Sequence, residues 1–277
     1  MRLIMLTLLT MIAFAANSVL NRLALVEAGS GPAAFAAIRL ASGAVVLGVL
    51  IWARGNWKTL IRPSGLKRVI GPLSLAMYVL GFSFAYVSLP AGAGALMLFG
   101  GVQVTMFAGA VASREEVPAT RWLGAGLAFG GLIWLLGAGD GMPLPFSGWV
   151  LMAAAALGWG IYSLLGRDAK DALGSTAMNF ILAAPLGLLV FLVVPDQITG
   201  QGVMLAVLSG GLTSGLGYAL WYRILPQLGA TRAAVAQLSV PVIAMGGGMI
   251  FLNETISMRF AISSLLVLGG VVVSMRR

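Results

Sequence analysis

The sequence predicts an all-α integral membrane protein with ten transmembrane helices, arranged as two inverted five-helix repeats with both termini in the cytoplasm. Three observations carry this prediction. The 277 residues are 60% hydrophobic and 9% charged, whereas about a quarter of the residues of a soluble domain are charged. Uncharged runs recur along the chain, and basic residues cluster on alternate connections between them. The runs do not alternate as barrel strands do, so we interpret them as helices.

Ten uncharged runs approach the roughly 20 residues that a helix needs to cross a bilayer. The connections between them are short, and the longest, 54–68, carries five basic residues and no separate domain. The first run also resembles a secretory signal peptide, but the internal repeat described below favours a transmembrane helix. The predicted spans are 3–21, 33–53, 69–88, 91–112, 121–138, 147–166, 173–194, 203–222, 231–252 and 258–275.

The basic residues predict the orientation of these spans. With the N-terminus in the cytoplasm, 14 of the 17 Lys and Arg residues lie on the cytoplasmic side, and Arg22, Arg39 and Arg259 do not. This asymmetry follows the positive-inside rule and accounts for the net charge of +9 without nucleic-acid binding. All eight acidic residues fall in loops or at span ends, and the chain has no histidine. A proton relay through a carboxylate inside the membrane is therefore not expected.

The second half of the sequence repeats features of the first in the same order and at similar offsets. Because each half, 1–140 and 141–277, holds five spans, the second must enter the membrane in the opposite orientation. Such inverted repeats are typical of secondary transporters, whose substrate site lies near the midplane between the halves. The matching features are "SVLNR" (18–22) with "SLLGR" (163–167), "YVSLP" (86–90) with "YRILP" (222–226), Glu115 with Glu254, and "GGL" (130–132) with "GGV" (269–271).

Four stretches carry a resemblance to a known family. They are "ANSVLNR" closing the first span, "FAAIRL" (35–40) opening the second, the proline turns at Pro90 and Pro226, and "SVPVIAMGGGMIFLNETIS" (239–257). With them the whole chain resembles the ten-helix EamA-type branch of the drug/metabolite transporter superfamily, and most of all its bacterial aromatic amino-acid exporters. The resemblance implies export of amino acids across the bacterial inner membrane. The first half departs from the pattern because it has no proline matching Pro241.

Polar and aromatic residues deep inside the spans are the candidates for substrate binding. Tyr78 and Trp159 lie deeper than the interfacial belt where such residues are usual, and Pro241 frees the backbone carbonyl of Gln237. Asn17 and Asn21 share a helix face, which fits a cavity wall or hydrogen bonds between helices equally well. The predicted substrate-binding residues are Asn17, Tyr78, Phe82, Phe99, Gln103, Trp159, Ser214, Tyr218, Gln237 and Pro241.

Arg39 and Arg22 are interpreted as residues that stabilise the fold and not as substrate-binding residues. Arg39 lies about two turns into the second span, where it could pair with Glu27 or bind a substrate carboxylate, and pairing with Glu27 is favoured. Arg22, at the end of the first span, is expected to extend its side chain to the membrane interface.

The resulting hypothesis is a monomeric exporter of aromatic or neutral amino acids or similar small metabolites, working by alternating access. The alternative is a carrier of a drug cation, nucleoside or nucleotide-sugar. A phosphate-bearing substrate would need several cations in the cavity, and a drug cation would need a carboxylate within a span. An enzyme is not expected, because the sequence has no HExxH, GxSxG or Walker-type motif and no Cys or His. No cofactor, metal site or catalytic residue is predicted.

Overall fold

A computed structural model of the protein describes residues 1–55, 65–112, 119–136, 145–166, 169–237 and 239–274. These residues are helical with short connections, and they contain no β-strand. The helices are α1 (Arg2–Arg22), continued by a π-helical turn (Leu23–Glu27), α2 (Pro32–Ala53), α3 (Lys67–Ala85), α4 (Ala91–Ala112), α5 (Ala119–Leu136), α6 (Phe146–Gly166), α7 (Ala172–Val193), α8 (Gly200–Val207), a π-helical segment (Leu208–Leu216), α9 (Gly217–Gln237), α10 (Ser239–Leu252) and α11 (Met258–Ser274).

The helices match the predicted spans in number and order when α8, the π-helical segment and the first part of α9 are taken together. Within the described ranges, six helices are long and apolar enough to cross a membrane, and four shorter apolar helices accompany them. The prediction of an all-helical membrane protein is therefore confirmed.

The predicted boundary between the eighth and ninth spans is wrong. Pro226 was expected to lie in a turn, but α9 continues through it to Gln237, and the next helix begins at Ser239. A proline removes one backbone hydrogen bond, and membrane helices tolerate this loss where neighbouring groups compensate for it. Pro90, by contrast, does lie between two helices, directly before α4.

Close helix pairs hold the bundle together. The helices α2 and α7, α3 and α6, and α5 and α11 pack along each other, and α1 packs against the π-helical segment, α9 and α10. Small residues permit the close approach: a Cβ atom on Gly158 of α6 would lie 2.6 Å from the carbonyl oxygen of Ser74 in α3. The start of α2 is fixed by Asp196, whose carboxylate accepts hydrogen bonds from the backbone N–H groups of Ala33 and Ala34 at 2.7 and 2.8 Å.

Several features of the sequence lie outside the described residues. These are most of the connection 54–68, Glu115, Arg167 and the boundary between the predicted repeats at residues 140 and 141.

Candidate functional site

A buried arginine lies at the centre of the bundle. Arg39 of α2 has no exposed surface. Its Nε donates to Ser214 Oγ at 3.0 Å, and its Nη2 donates to the hydroxyls of Tyr78 and Tyr218 at 3.1 and 2.8 Å. The guanidinium carbon also lies 5.1 Å from the ring centroid of Phe82, within the range of a cation–π contact. A single cation from α2 is thus held by groups from α3, the π-helical segment and α9.

The π-helical segment supplies a second layer of hydroxyls around Asn17 of α1. The Asn17 Oδ1 atom lies 2.8 Å from Ser209 Oγ, 2.6 Å from Thr213 Oγ1 and 3.2 Å from Ser214 Oγ. In a π-helix the hydrogen bonds run from i to i+5, so residues five apart, such as Ser209 and Ser214, come near the same face. The π winding therefore lets Ser214 contact both Asn17 and Arg39.

Aromatic rings cover the rest of the arginine cluster. The ring centroid of Trp159 lies 4.6 Å from that of Tyr218 and 5.0 Å from that of Tyr78. Phe14 meets Trp159 edge-on at 5.3 Å and lies 6.3 Å from Phe99. All five side chains are at most 4% exposed. The cluster therefore combines one cation, several hydroxyls and a wall of rings.

The structure brings seven of the ten predicted residues together and leaves three apart. Gln103, Gln237 and Pro241 form no hydrogen bond or ring contact with the arginine cluster in the part of the chain that the structure describes. Gln103 lies one turn beyond Phe99 on α4, and Gln237 is the buried last residue of α9. The other seven are Asn17, Tyr78, Phe82, Phe99, Trp159, Ser214 and Tyr218.

The favoured interpretation of Arg39 was wrong, because Glu27 is exposed while Arg39 is fully buried among hydroxyls. For the two asparagines, which were left open, the structure shows hydrogen bonds between helices. Asn17 contacts the π-helical segment, and Asn21 accepts a hydrogen bond from Ser83 of α3 at 3.0 Å.

Sequence reasoning missed four further members of the cluster. Phe14 lies three residues before Asn17 and shares its helix face, so that spacing could have identified it. Trp221 lies three residues after Tyr218 on the same helix face, so the same spacing could have identified it. Its ring centroid is 5.6 Å from that of Phe14. Ser209 and Thr213 were missed because α-helical periodicity places Ser209 far from the face of Ser214, five residues on, whereas π-helical winding brings the two near each other.

A charged cluster joins three segments at the end of the bundle opposite the start of α1. The Nε of Arg22 lies 3.4 Å from Glu254 Oε1, and its Nη1 donates to the Tyr86 carbonyl at 3.1 Å. Both Glu254 oxygens lie 2.9 Å from the backbone nitrogen of Ala91, the first residue of α4. A carboxylate is favourable at a helix N-terminus. Arg22 is therefore engaged by Glu254 and a backbone carbonyl at this end of the bundle, a pairing that the sequence did not predict.

A groove opens at the other end of the bundle, where α1 begins. It has a volume of about 530 Å³ and runs along α1 from Leu3 to Met11, with Leu228 and Ser239 on its far side. Its walls are almost entirely apolar. Because Met11 lies three residues before Phe14, the groove ends about one helical turn from the aromatic cluster.

Comparison with known proteins identifies the family of this chain. A profile of the EamA-like transporter family matches residues 146–276. An uncharacterized protein of Pseudomonas aeruginosa is 42% identical over 98% of this chain and 93% of its own length. The chain belongs to the EamA-like transporter family.

Other relatives of this EamA-like protein are named as transporters. A probable amino-acid metabolite efflux pump of Salmonella typhimurium is 24% identical over 73% of each chain. An uncharacterized transporter of Bacillus subtilis is 30% identical over 45% of each. One protein of known crystal structure has the same fold, with a TM-score of 0.68 at 22% identity over 96% of this chain and 97% of that one. The EamA-like chain is thus a multi-pass membrane protein of a transporter family.

Proposed function

We propose that this transporter exports aromatic or neutral amino acids, or similar small metabolites, across the bacterial inner membrane by alternating access. The observation that carries the proposal is the buried cluster at Arg39. It is built from α1, α2 and α3 of the first half and from the π-helical segment and α9 of the second. A site formed by both halves can be exposed to either side of the membrane when the halves move against each other.

The packing of the helices supports two inverted repeats, residues 1–140 and 141–277, within this proposal. With α8, the π-helical segment and the first part of α9 counted as one span, an offset of five spans maps the pair α2 and α7 onto itself, and likewise α5 and α11. It also relates the contact between α3 and α6 to the contact of α1 with the π-helical segment and α9. All of these pairs occur. The basic residues of the sequence support cytoplasmic termini.

The chemistry of the cluster favours an amino acid over the alternative solutes. A drug cation would be repelled by Arg39, and the described parts of the spans offer no carboxylate to attract it. A nucleotide-sugar carries two phosphates, and Arg39 is the single cation of the cluster. Aromatic side chains fit the rings of Trp159 and Phe14, since such ring pairs contribute about 0.5–1.5 kcal/mol beyond their buried area.

A contact at one end of the bundle and a groove at the other support the assignment of the structure to one state of the transport cycle. The contact of Arg22 with Glu254 and the start of α4 joins segments of both halves at the end of the bundle where α1 ends, which is the periplasmic end under the proposed orientation. The apolar groove lies along the first part of α1, at the end that this orientation makes cytoplasmic. We therefore assign the structure to a state closed toward the periplasm, and we expect the protein to work as a monomer.

The test is counterflow of labelled phenylalanine into proteoliposomes with equal pH and equal sodium on both sides. The wild-type protein should catalyse it without a proton gradient, because the described spans hold no acidic residue in their interior, Glu27 being exposed at the end of the first. Trp159→Ala should lower the apparent affinity roughly tenfold, since one ring contact is lost. Trp52→Ala is the matched control, because Trp52 is 72% exposed. Absence of counterflow for every amino acid tried, with correctly inserted protein, would contradict the proposal.

A further inference from the structure

We propose that Arg39 is the anchor for a carboxylate of the transported molecule, so that the substrates are monocarboxylates, with or without an amino group. The proposal rests on the transport function above and defines its substrate class. It begins from a positive charge that no carboxylate among the described residues neutralises.

Arg39 carries a buried positive charge that no carboxylate of the described chain neutralises. The groups that bind it, Ser214, Tyr78 and Tyr218, are neutral hydroxyls. The four acidic residues that the structure describes lie at helix ends or in connections, and Glu254 among them is engaged by Arg22. Moving a charge out of water without a counter-ion costs several kcal/mol, and ionisable residues kept within membrane spans usually serve function. A bound anion would remove this cost.

The groups left without partners around Arg39 are hydrogen-bond donors. The Nη1 atom carries two N–H groups and has no hydrogen-bond partner. The hydroxyl of Tyr78 accepts from Arg39 and from Tyr218, which leaves its own proton without an acceptor among the described residues. The indole nitrogen of Trp159, whose ring contacts Tyr78, is also unpartnered. Donors of this kind complement a carboxylate, which only accepts, and would oppose an ammonium group, which only donates.

The guanidinium is held in a fixed orientation before any ligand binds. Its Nε and Nη2 are fixed by three hydroxyls on α3, the π-helical segment and α9, and its face lies against Tyr78 and Phe82. Only Nη1 remains free, so the direction from which a carboxylate can approach is set by the fold. Rigid placement of a charged donor lowers the entropy lost on binding and raises discrimination. The apolar groove along α1 ends short of this cluster and supplies no charge to such a molecule.

The experiment compares ligands that share one benzyl group and differ in their charged ends. Isothermal titration calorimetry on the full-length protein in nanodiscs would use L-phenylalanine, 3-phenylpropionate, phenylalaninamide and phenethylamine. We expect the first two to bind and the last two to bind on the order of a hundredfold more weakly, as a lost charge-assisted hydrogen bond predicts. Equal affinity for phenethylamine and phenylalanine, or no binding of either carboxylate, would overturn the anchor.

Substitutions then test whether Arg39 causes the preference for carboxylates over amines. Arg39→Gln should lower the affinity for 3-phenylpropionate on the order of a hundredfold and leave phenethylamine unchanged or tighter. The control is Arg223→Gln, an exposed arginine on α9, which should retain the wild-type preference. If Arg39→Gln does not fold, Tyr78→Phe tests the same point by removing one donor to the carboxylate, and it should reduce the preference without abolishing it. An unchanged preference in the folded Arg39→Gln protein, or failing that in Tyr78→Phe, would refute the proposal.

The outcome separates this inference from the transport function. Counterflow of amines and amides as fast as of carboxylates would remove the anchor while retaining a transporter. Selective binding of carboxylates without any counterflow would retain the anchor and remove the transport function.

Discussion

Replacement of Gly210 by alanine tests the packing that positions Arg39. Gly210 belongs to the π-helical segment and lies against the backbone of α2. A Cβ atom there would lie 2.8 Å from the carbonyl carbon of Arg39, and closer still to its carbonyl oxygen and to Ser42 Oγ, whereas ordinary contacts begin at 3.4 Å. The two elements must therefore separate by about 0.6 Å or more. That shift would stretch the bond from Arg39 Nε to Ser214, now 3.0 Å, beyond hydrogen-bonding range.

The expected cost is that of overpacking, about 1–3 kcal/mol. Gly246→Ala in α10 is the matched control, because a Cβ atom there meets nothing within 4 Å. In a helix interior such a change stabilises by about 0.5–1 kcal/mol. The two variants should therefore move in opposite directions.

The assay is thermal unfolding of purified protein followed by tryptophan fluorescence, with phenylalanine counterflow measured in parallel. Gly210→Ala should unfold at lower temperature and lose most of its counterflow, and Gly246→Ala should match or exceed the wild type in both measurements. Equal unfolding temperatures and equal counterflow in the two variants would show that the π-helical segment does not pack on α2 as described.

Two further predictions concern the ends of the bundle. Arg22→Ala should open the end closed by Glu254, so that a cysteine at Ser18, now buried, reacts faster with a thiol reagent than the same cysteine does when Arg22 is present. Equal rates in the two proteins would contradict this role of Arg22. A cysteine at Asn56 should not react with an impermeant reagent added outside intact cells, which the absence of native cysteines makes a clean measurement, and reaction there would reverse the proposed orientation.

The positions of single residues along their helices could be predicted from the sequence. Tyr78 and Trp159 were placed near the middle of their spans by counting along helices of known rise, and both lie in the buried cluster. The contacts between spans could not be predicted in the same way. Gln237 and Gln103 were both counted to the middle of a predicted span, yet neither contacts Arg39, because a position along a helix says nothing about the direction in which that helix face points.

The sequence by itself determined the helices, because a chain in lipid must satisfy its backbone hydrogen bonds within each span. Hydropathy and the short connections therefore specify the number of spans, and the basic residues predict their direction. Only the tertiary structure decided the partners of Arg39 and Arg22, which lie 175 and 232 positions along the chain at Ser214 and Glu254. Local periodicity assumes α-helical winding and cannot foresee a π-helical segment. That winding depends on packing between helices, as does the position of a buried charge among neutral hydroxyls.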